Sequence, residues 1–565
     1  MHASLTARLD RLPAAKQVAQ IGAAIGRDFG HELLAAVAGL PAVSLAQGLD
    51  ELVNAGLAFR RGTPPEATYT FKHALVQDAA YVSLLRGTRQ KLHARIAQEL
   101  EERWPDVVET QPELLAHHFT QAGLTERAAD YWQRAGERTF RRSAVAEAIG
   151  HLTRSIALVR TLPESRTRAE RELHLQTMLG QAYIARHGHA APETAAAFAR
   201  AQELVEAVGD VSQRFPVLYG FWAVQFVRMA LPEQQTLARQ ILALAEQHPD
   251  PERLCLAHRM CGATDEVGSE LLTAREHLER AVALYDPERH GSTAFVFGQD
   301  LGVSALAHLT WVLWLLGYPD QASRRQAEGL ALAHRVGHRN TLGFALMYSA
   351  LVGAFGRDDS SAAVHAATLL ELAREHKLDL WAASATVVQG WAMARHGREA
   401  AGIEVIRRGL ADWRNSGAEW MRPFFLGLLA EACARSGDIQ RGLGALDEGL
   451  AAVERTGERW PKAELHRLRG QLLAALPDGR PDEASAAFER AIDIARRQSA
   501  KSWELRAATG LARLWRDHGK PADARTLLAP VYAGLTEGFG TPDVIEATAL
   551  LDSLKCLEPS RSRQA

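Results

Sequence analysis

Cysteine is nearly missing from this sequence: four thiols, Cys255, Cys261, Cys433 and Cys556, serve 565 residues. That is too few for a disulfide framework and fits a reducing cytosol. Cys255 and Cys261 are too far apart for a two-residue zinc knuckle and no second pair follows, so packed thiols are expected there and no metal. An excess of charge is missing too. With 65 basic and 67 acidic residues, the formal net charge of −2 makes no electrostatic case for nucleic acid or an anionic membrane. The most apolar window, Leu301 to Tyr318, contains His308 and follows Gln299 and Asp300, so it reads as a buried repeat helix rather than a membrane span. The first twelve residues lack the apolar core of a signal peptide. A soluble, cytoplasmic protein is the expectation.

Catalytic constellations are lacking as well. No Gly-x4-Gly-Lys-Ser/Thr phosphate loop occurs, and the nearest lookalike, Gly519-Lys520-Pro521, is a repeat turn without the upstream glycine. Gly442 and Gly444 lie inside a predicted helix and cannot supply the strand-to-helix turn of a dinucleotide site. His31-Glu32 begins like a zinc-protease helix, but Ala35 stands where the second ligand belongs. No Gly-x-Ser-x-Gly elbow is present. The adjacent pair His117-His118 diverges by about 100° on a helix and cannot share a metal unaided; with His187 and His189 it reads as structural or surface histidine. Trp391, Trp503 and Trp515 sit at repeat-helix spacing, which points to packing. No catalytic residue, cofactor or metal is expected.

What the sequence has is a period. Arg422 to Gly457 reads as two short helices joined at Ser436-Gly437-Asp438. Leu426, Leu429, Ala430 and Cys433 share one face of the first helix. The second carries Gly442, Leu446 and Gly449, small residues around a bulky one, which lets a neighbouring helix approach closely. The same triplet recurs from Ala322, Ala363, Gly402, Gly442, Ala484 and Ala524, with gaps of 41, 39, 40, 42 and 40 residues. A steady period of this size marks an array of helical hairpins. Glycine ends the preceding helix at Gly317, Gly397, Gly437 and Gly519. The pattern resembles the tetratricopeptide repeat, with a period about six residues longer than the 34 usual there. Each hairpin of such an array is expected to touch only its neighbours, so length gives no domain count.

Residues 1–105 differ. Pro13 to Ile25, His31 to Ala38 and Val43 to Ala55 read as helices, and two β-prone runs, Leu57 to Arg61 and Thr68 to Phe71, flank a Gly/Pro turn. Three helices followed by two such strands suggest a winged-helix-like domain with trailing helices His73 to Leu85 and Thr88 to Arg103. The expected organisation is mainly α: a winged-helix-like domain over 1–105, a tetratricopeptide-like α-solenoid over 106–555 and a frayed tail over 556–565.

The segments Ala19 to Gly26, Tyr69 to Tyr81, Gly457 to Trp460, Ala463 to Arg467, Ala495 to Arg497 and Thr541 to Asp543 resemble the C-terminal portion of bacterial adenylate/guanylate cyclase-like signalling proteins. Such proteins join a cyclase domain to a signal-transduction ATPase of the AAA/STAND type, a winged helix and tetratricopeptide-like repeats. The resemblance covers about residues 5 to 555, and the cyclase and ATPase domains have no counterpart in it. It implies either a fragment of a longer protein or a separately encoded regulatory half working with an ATPase or cyclase partner. Large transcriptional activators share the arrangement, but their C-terminal helix-turn-helix has no match here.

The leading expectation is a non-catalytic interaction module that senses a protein or peptide on the solenoid. A second is DNA binding by Val43 to Ala55, which offers only Gln47 and Asn54 to base edges while Asp50 and Glu51 oppose phosphates, so DNA is not the expected partner. A third is an inactive fragment of a larger cyclase or ATPase. Arg395, Arg435, Arg513 and Arg516, on the first helices of successive hairpins, with Arg469 between, are the candidate groove. Guanidinium groups grip carboxylates in paired hydrogen bonds, so the expected ligand is an acidic peptide or protein segment. Arg395 and Arg435 also stand in last turns, where the helix dipole alone favours a cation.

Overall fold

The computed structural model describes residues 8–142, 144–189, 191–208, 211–291, 293–477 and 479–556. Most of the first twelve residues, and the expected tail beyond Cys556, lie outside them. The chain is mainly helical and divides into two compact units, Met1–Leu175 and Gln176–Ala565.

In the first unit the order is α1 (Pro13–Ile25), β1 (Asp28–Gly30), α2 (His31–Ala38), α3 (Ala42–Asn54), β2 (Ala58–Arg61) and β3 (Thr68–Phe71). The strands form an antiparallel sheet in the order β1-β3-β2, with Phe29 opposite Tyr69 and Arg60 opposite the same residue on the other edge. The helices and the last two strands stand where the sequence places them; β1 is an addition, because three residues are too few for a period-2 signal. Close packing explains two glycines. A Cβ at Gly48 of α3 would stand 2.7 Å from Val18 of α1, and one at Gly22 would stand 2.8 Å from the Phe29 ring.

The first unit runs beyond the boundary expected near residue 105. Leu115, Phe119, Tyr131 and Trp132, on helices Pro112–Ala122 and Thr125–Arg141, share one core with Phe29, Leu49 and Phe71. The early hairpins therefore pack with the sheet-bearing part.

The second unit is an α-solenoid of tetratricopeptide-like hairpins. Its later first helices are Leu301–Leu315, Arg339–Phe355, Asp379–Arg395, Arg422–Arg435, Lys462–Ala474 and Lys501–Asp517, each followed by a second helix, and Pro542–Cys556 comes last. The glycine triplets act as expected. A Cβ at Gly402 would meet the Gly390 carbonyl at 2.5 Å, and Phe488 fills the space over Gly470 and Gly510. Gly317, Gly397, Gly437 and Gly519 all take positive φ, between 76° and 90°. One triplet needs correction. Ala362, Ala366 and Leu369 are buried on Asp359–His376, whereas Ala367 is exposed; the packed set is one residue earlier than Ala363/Ala367/Leu370, which makes the spacing more regular.

The hairpins do not touch only their neighbours. The Glu419 and Trp420 amides donate to the Val227 carbonyl at 2.9 and 3.1 Å, and the Arg459 amide donates to Val267 at 3.0 Å. Ser502 Oγ donates to the Trp314 carbonyl at 2.5 Å across 188 positions of sequence. The array winds tightly enough for successive turns to meet, and aromatic side chains fill the seam between them. That is why every residue of Leu301–Leu315 is buried: this helix faces its own hairpin partners and the next turn. No helix among the described residues is long and apolar enough to cross a membrane.

Candidate binding cleft

Where residues 354–357 face the turn that follows, a cleft of about 530 Å³ opens among first helices. Arg395, Arg435 and Arg513, three of the five candidate residues, are among its lining. Arg469 and Arg516 are not among its lining. Arg469 pairs with Asp447 on the preceding second helix, and Arg516 bonds its neighbour Asp517 at 2.9 Å.

Each lining arginine is held differently. Arg395 forms ion pairs with Asp359 at 2.6 Å and Glu431 at 2.8 Å. The same Glu431 accepts from Trp391 Nε1 at 3.0 Å. Burial would raise the Glu431 pKa, but the Trp391 hydrogen bond and the Arg395 charge together hold it below the usual carboxylate range. Arg513 pairs with Glu546. Arg435 differs: its Nε and Nη2 donate to the carbonyls of Ala394 and Arg395, both at 3.2 Å. No carboxylate among the described residues pairs with it.

Sequence reasoning missed three further arginines and their acids. Arg506 is buried; it donates to both Asp543 oxygens, to Glu464 at 3.4 Å and to the Phe355 carbonyl at 2.5 Å. Burial opposes its charge, but Asp543 and Glu464 more than offset this and hold it firmly protonated. Arg467 chelates Glu464 with contacts of 2.8 and 2.9 Å. Arg357 bridges Asp543 at 3.1 Å and Glu546 at 2.6 Å. The signals were available: Arg506 interrupts an apolar face in Trp503 to Leu511, and Arg357 stands where neighbouring repeats place glycine.

Deeper between the turns lies a second polar group. His308 Nδ1 stands 2.7 Å from Glu266 and 3.0 Å from the Tyr348 hydroxyl, all buried. Glu458 accepts from the Met421 amide at 3.0 Å and from Trp460 Nε1 at 2.9 Å, leaving its other oxygen without a partner. In the first unit His118 is buried against His93 with Nδ1 atoms 2.8 Å apart, and burial pushes it down to about 3, so the pair is neutral and structural. Among the described residues no group of three or more His, Cys, Asp or Glu is placed to hold a metal ion.

On the first unit, α3 presents Gln47 and Asp50 outward. Asp50 lies 3.4 Å from Arg60 of β2, and Gln47 bonds Glu51 at 3.1 Å. Arg60 of β2 is thus matched by an acid of that helix.

No protein-family model matches the chain. It is 28% identical over 518 residues, 90% of its own length, to an uncharacterized protein of Rhizobium meliloti (strain 1021), and it spans about half the length of that curated relative. Among solved structures, a Rap protein complexed with competence and sporulation factor is similar over 66% of this chain and 98% of its own, with 11% identity and a TM-score of 0.49. The Cut9–Hcn1 hetero-tetramer of the APC/C is similar over 86% of this chain and 92% of its own, with 13% identity and a TM-score of 0.46. A signal transduction ATPase with numerous domains and a tetratricopeptide repeat sensor, from Pyrococcus horikoshii, is similar over 96% of this chain and 65% of its own, with 11% identity and a TM-score of 0.29.

Proposed function

We propose that the solenoid unit is a non-catalytic protein-interaction module whose cleft takes an acidic peptide or an acidic segment of a partner protein. The observation that supports this most directly is Arg435. Its guanidinium is fixed on two backbone carbonyls, lines the cleft and has no carboxylate of its own among the described residues. A pre-positioned, always-charged fork of this kind binds a carboxylate in paired, charge-assisted hydrogen bonds. In this reading Arg395 and Arg513 flank the ligand, and Arg469 and Arg516 are outlying charges that a longer segment reaches.

The run of elements from α1 to β3 supports a winged-helix-like unit ahead of the array. Together with the resemblance to cyclase-like signalling proteins, it suggests a cytoplasmic sensor half that reports to an ATPase or cyclase, encoded separately or in a longer chain. A DNA-reading role finds less support, because Asp50 and Glu51 on α3 oppose the dominant phosphate attraction.

The test is fluorescence anisotropy of the full-length chain with a labelled oligoglutamate peptide. Wild type binds, binding weakens with salt, and Arg435→Glu reduces affinity about tenfold or more, the loss of one charge-assisted pair, while circular dichroism and melting stay close to wild type. Equal binding by the folded variant overturns the reading. The chain by itself is expected neither to hydrolyse ATP nor to make cyclic AMP.

A further inference from the structure

Resting on the acidic-ligand reading, we propose that Glu546 is a built-in competitor for the cleft: its carboxylate occupies the place between Arg357 and Arg513 that a partner's carboxylate takes, so that binding releases the C-terminal helix. Glu546, on Pro542–Cys556, is the shared acceptor of two guanidinium groups that come from opposite turns, Arg357 at 2.6 Å and Arg513. Both arginines line the cleft, and so does Glu546 itself. The site is thus filled from within by the chemistry expected of its ligand.

A second observation points the same way. At the position two past the helix end, neighbouring repeats carry Gly317, Gly397, Gly437 and Gly519 in the left-handed conformation, and Arg357 holds the same conformation with φ 59°. A side chain there is strained, and glycine is the residue that adopts it freely. Arg357 is one of six described non-glycine residues with positive φ, and it holds this conformation while its side chain bridges Asp543 and Glu546. Burial opposes ionisation of Glu546, yet the two arginines pull it down to about 2, so the bridge stays intact throughout the ordinary pH range.

The turns are also tied by Glu537, whose carboxylate accepts from the Asp320 and Gln321 amides at 2.8 and 3.0 Å at the start of helix Pro319–Val336. Glu537 is not part of the cleft lining. It therefore separates loosening of the turns from release of the arginines.

The experiment titrates labelled oligoglutamate against the full-length wild type, Glu546→Gln, Glu537→Gln and Arg435→Glu, with hydrogen exchange read over 542–556. Freeing two arginines from an internal carboxylate should tighten binding about tenfold in Glu546→Gln, the equivalent of one charge-assisted pair. Glu537→Gln should bind as wild type does, and saturating peptide should speed exchange over 542–556 in the wild type. If Glu546→Gln fails to fold, Glu546→Asp replaces it; the arm is shorter by one methylene and cannot span both guanidiniums, so the direction expected is the same. If wild type binds, Arg435→Glu loses binding and Glu546→Gln binds no tighter, the competitor is overturned while the acidic-ligand reading stands. Equal tightening by Glu537→Gln overturns competition for the arginines, as does greater protection of 542–556 on binding. If no variant binds, both readings fall.

Discussion

The indoles of Trp311 and Trp460 meet edge to face with ring centroids 4.5 Å apart, although they belong to successive turns of the solenoid. Phe355 and Phe424 close around the same Trp460 ring at 5.4 and 5.2 Å. Such pairs add to the area that each ring buries, and Trp311–Trp460 and Phe355–Trp460 join hairpins that are not neighbours in sequence. Unfolding in the second unit is accordingly less divisible than in an array with nearest-neighbour contacts alone.

Two truncations separate local from cross-turn packing. Phe488→Ala empties the space over Gly470 and Gly510, and Trp460→Ala empties the seam; each costs roughly 3–5 kcal/mol. The expected difference is where exchange rises. Phe488→Ala should raise it around 465–530, whereas Trp460→Ala should raise it around 301–315 and 339–355 as well. Confinement of the Trp460→Ala effect to residues near 460 would count against cross-turn closure.

The repeat was legible because glycine and alanine recur where helices approach, and that spacing is a property of neighbouring residues. The slip at Ala362 arose because Ala362, Ala363, Ala366 and Ala367 are equally small, so only burial decides between the two registers. Closure between turns was not legible, since superhelical pitch is set by small rotations accumulated over several repeats. A trace of it is present in the sequence: Trp381, Trp420, Trp460 and Trp503 recur at first-helix starts and all are buried. In the cleft, Arg395, Arg435 and Arg513 follow from the repeat. Arg506, Asp543 and Glu546 meet on neighbouring helices, but their meeting with Arg357 and the Phe355 carbonyl comes through the turn contact, which no local pattern encodes.

Glu458 predicts a pH dependence. Burial, only partly opposed by the hydrogen bonds from Trp460 and the Met421 amide, pushes its carboxyl up to about 8, against an ordinary value of 4.5. The folded state therefore holds a proton that the unfolded state releases above about 4.5. Its contribution is fully present below that pH and is lost as pH rises through about 8. Glu458→Gln keeps the carbonyl that accepts both hydrogen bonds and cannot ionise. Between pH 5 and pH 8 the wild type should lose roughly 2–4 kcal/mol more stability than the variant, read as diverging urea midpoints. Parallel pH profiles would show that Glu458 is not held neutral.

Arg506 tests the closure from its charged side. It is buried with Asp543 and Glu464, and donates to the Phe355 carbonyl of the turn before. Removing one partner of a buried ion pair leaves the other charge uncompensated, which typically costs about 3–5 kcal/mol, whereas replacing both partners together costs far less. Arg506→Met should therefore destabilise the second unit by about that amount. Asp543→Asn should do so less, because Glu464 still accompanies Arg506. The double variant should be more stable than the two single losses combined, with a coupling of roughly 1–3 kcal/mol between residues in direct contact. Urea denaturation of the four proteins gives the cycle. Additive losses would mean that Arg506 and Asp543 act independently, and the turn would then be held by its aromatic seam and backbone hydrogen bonds without this pair.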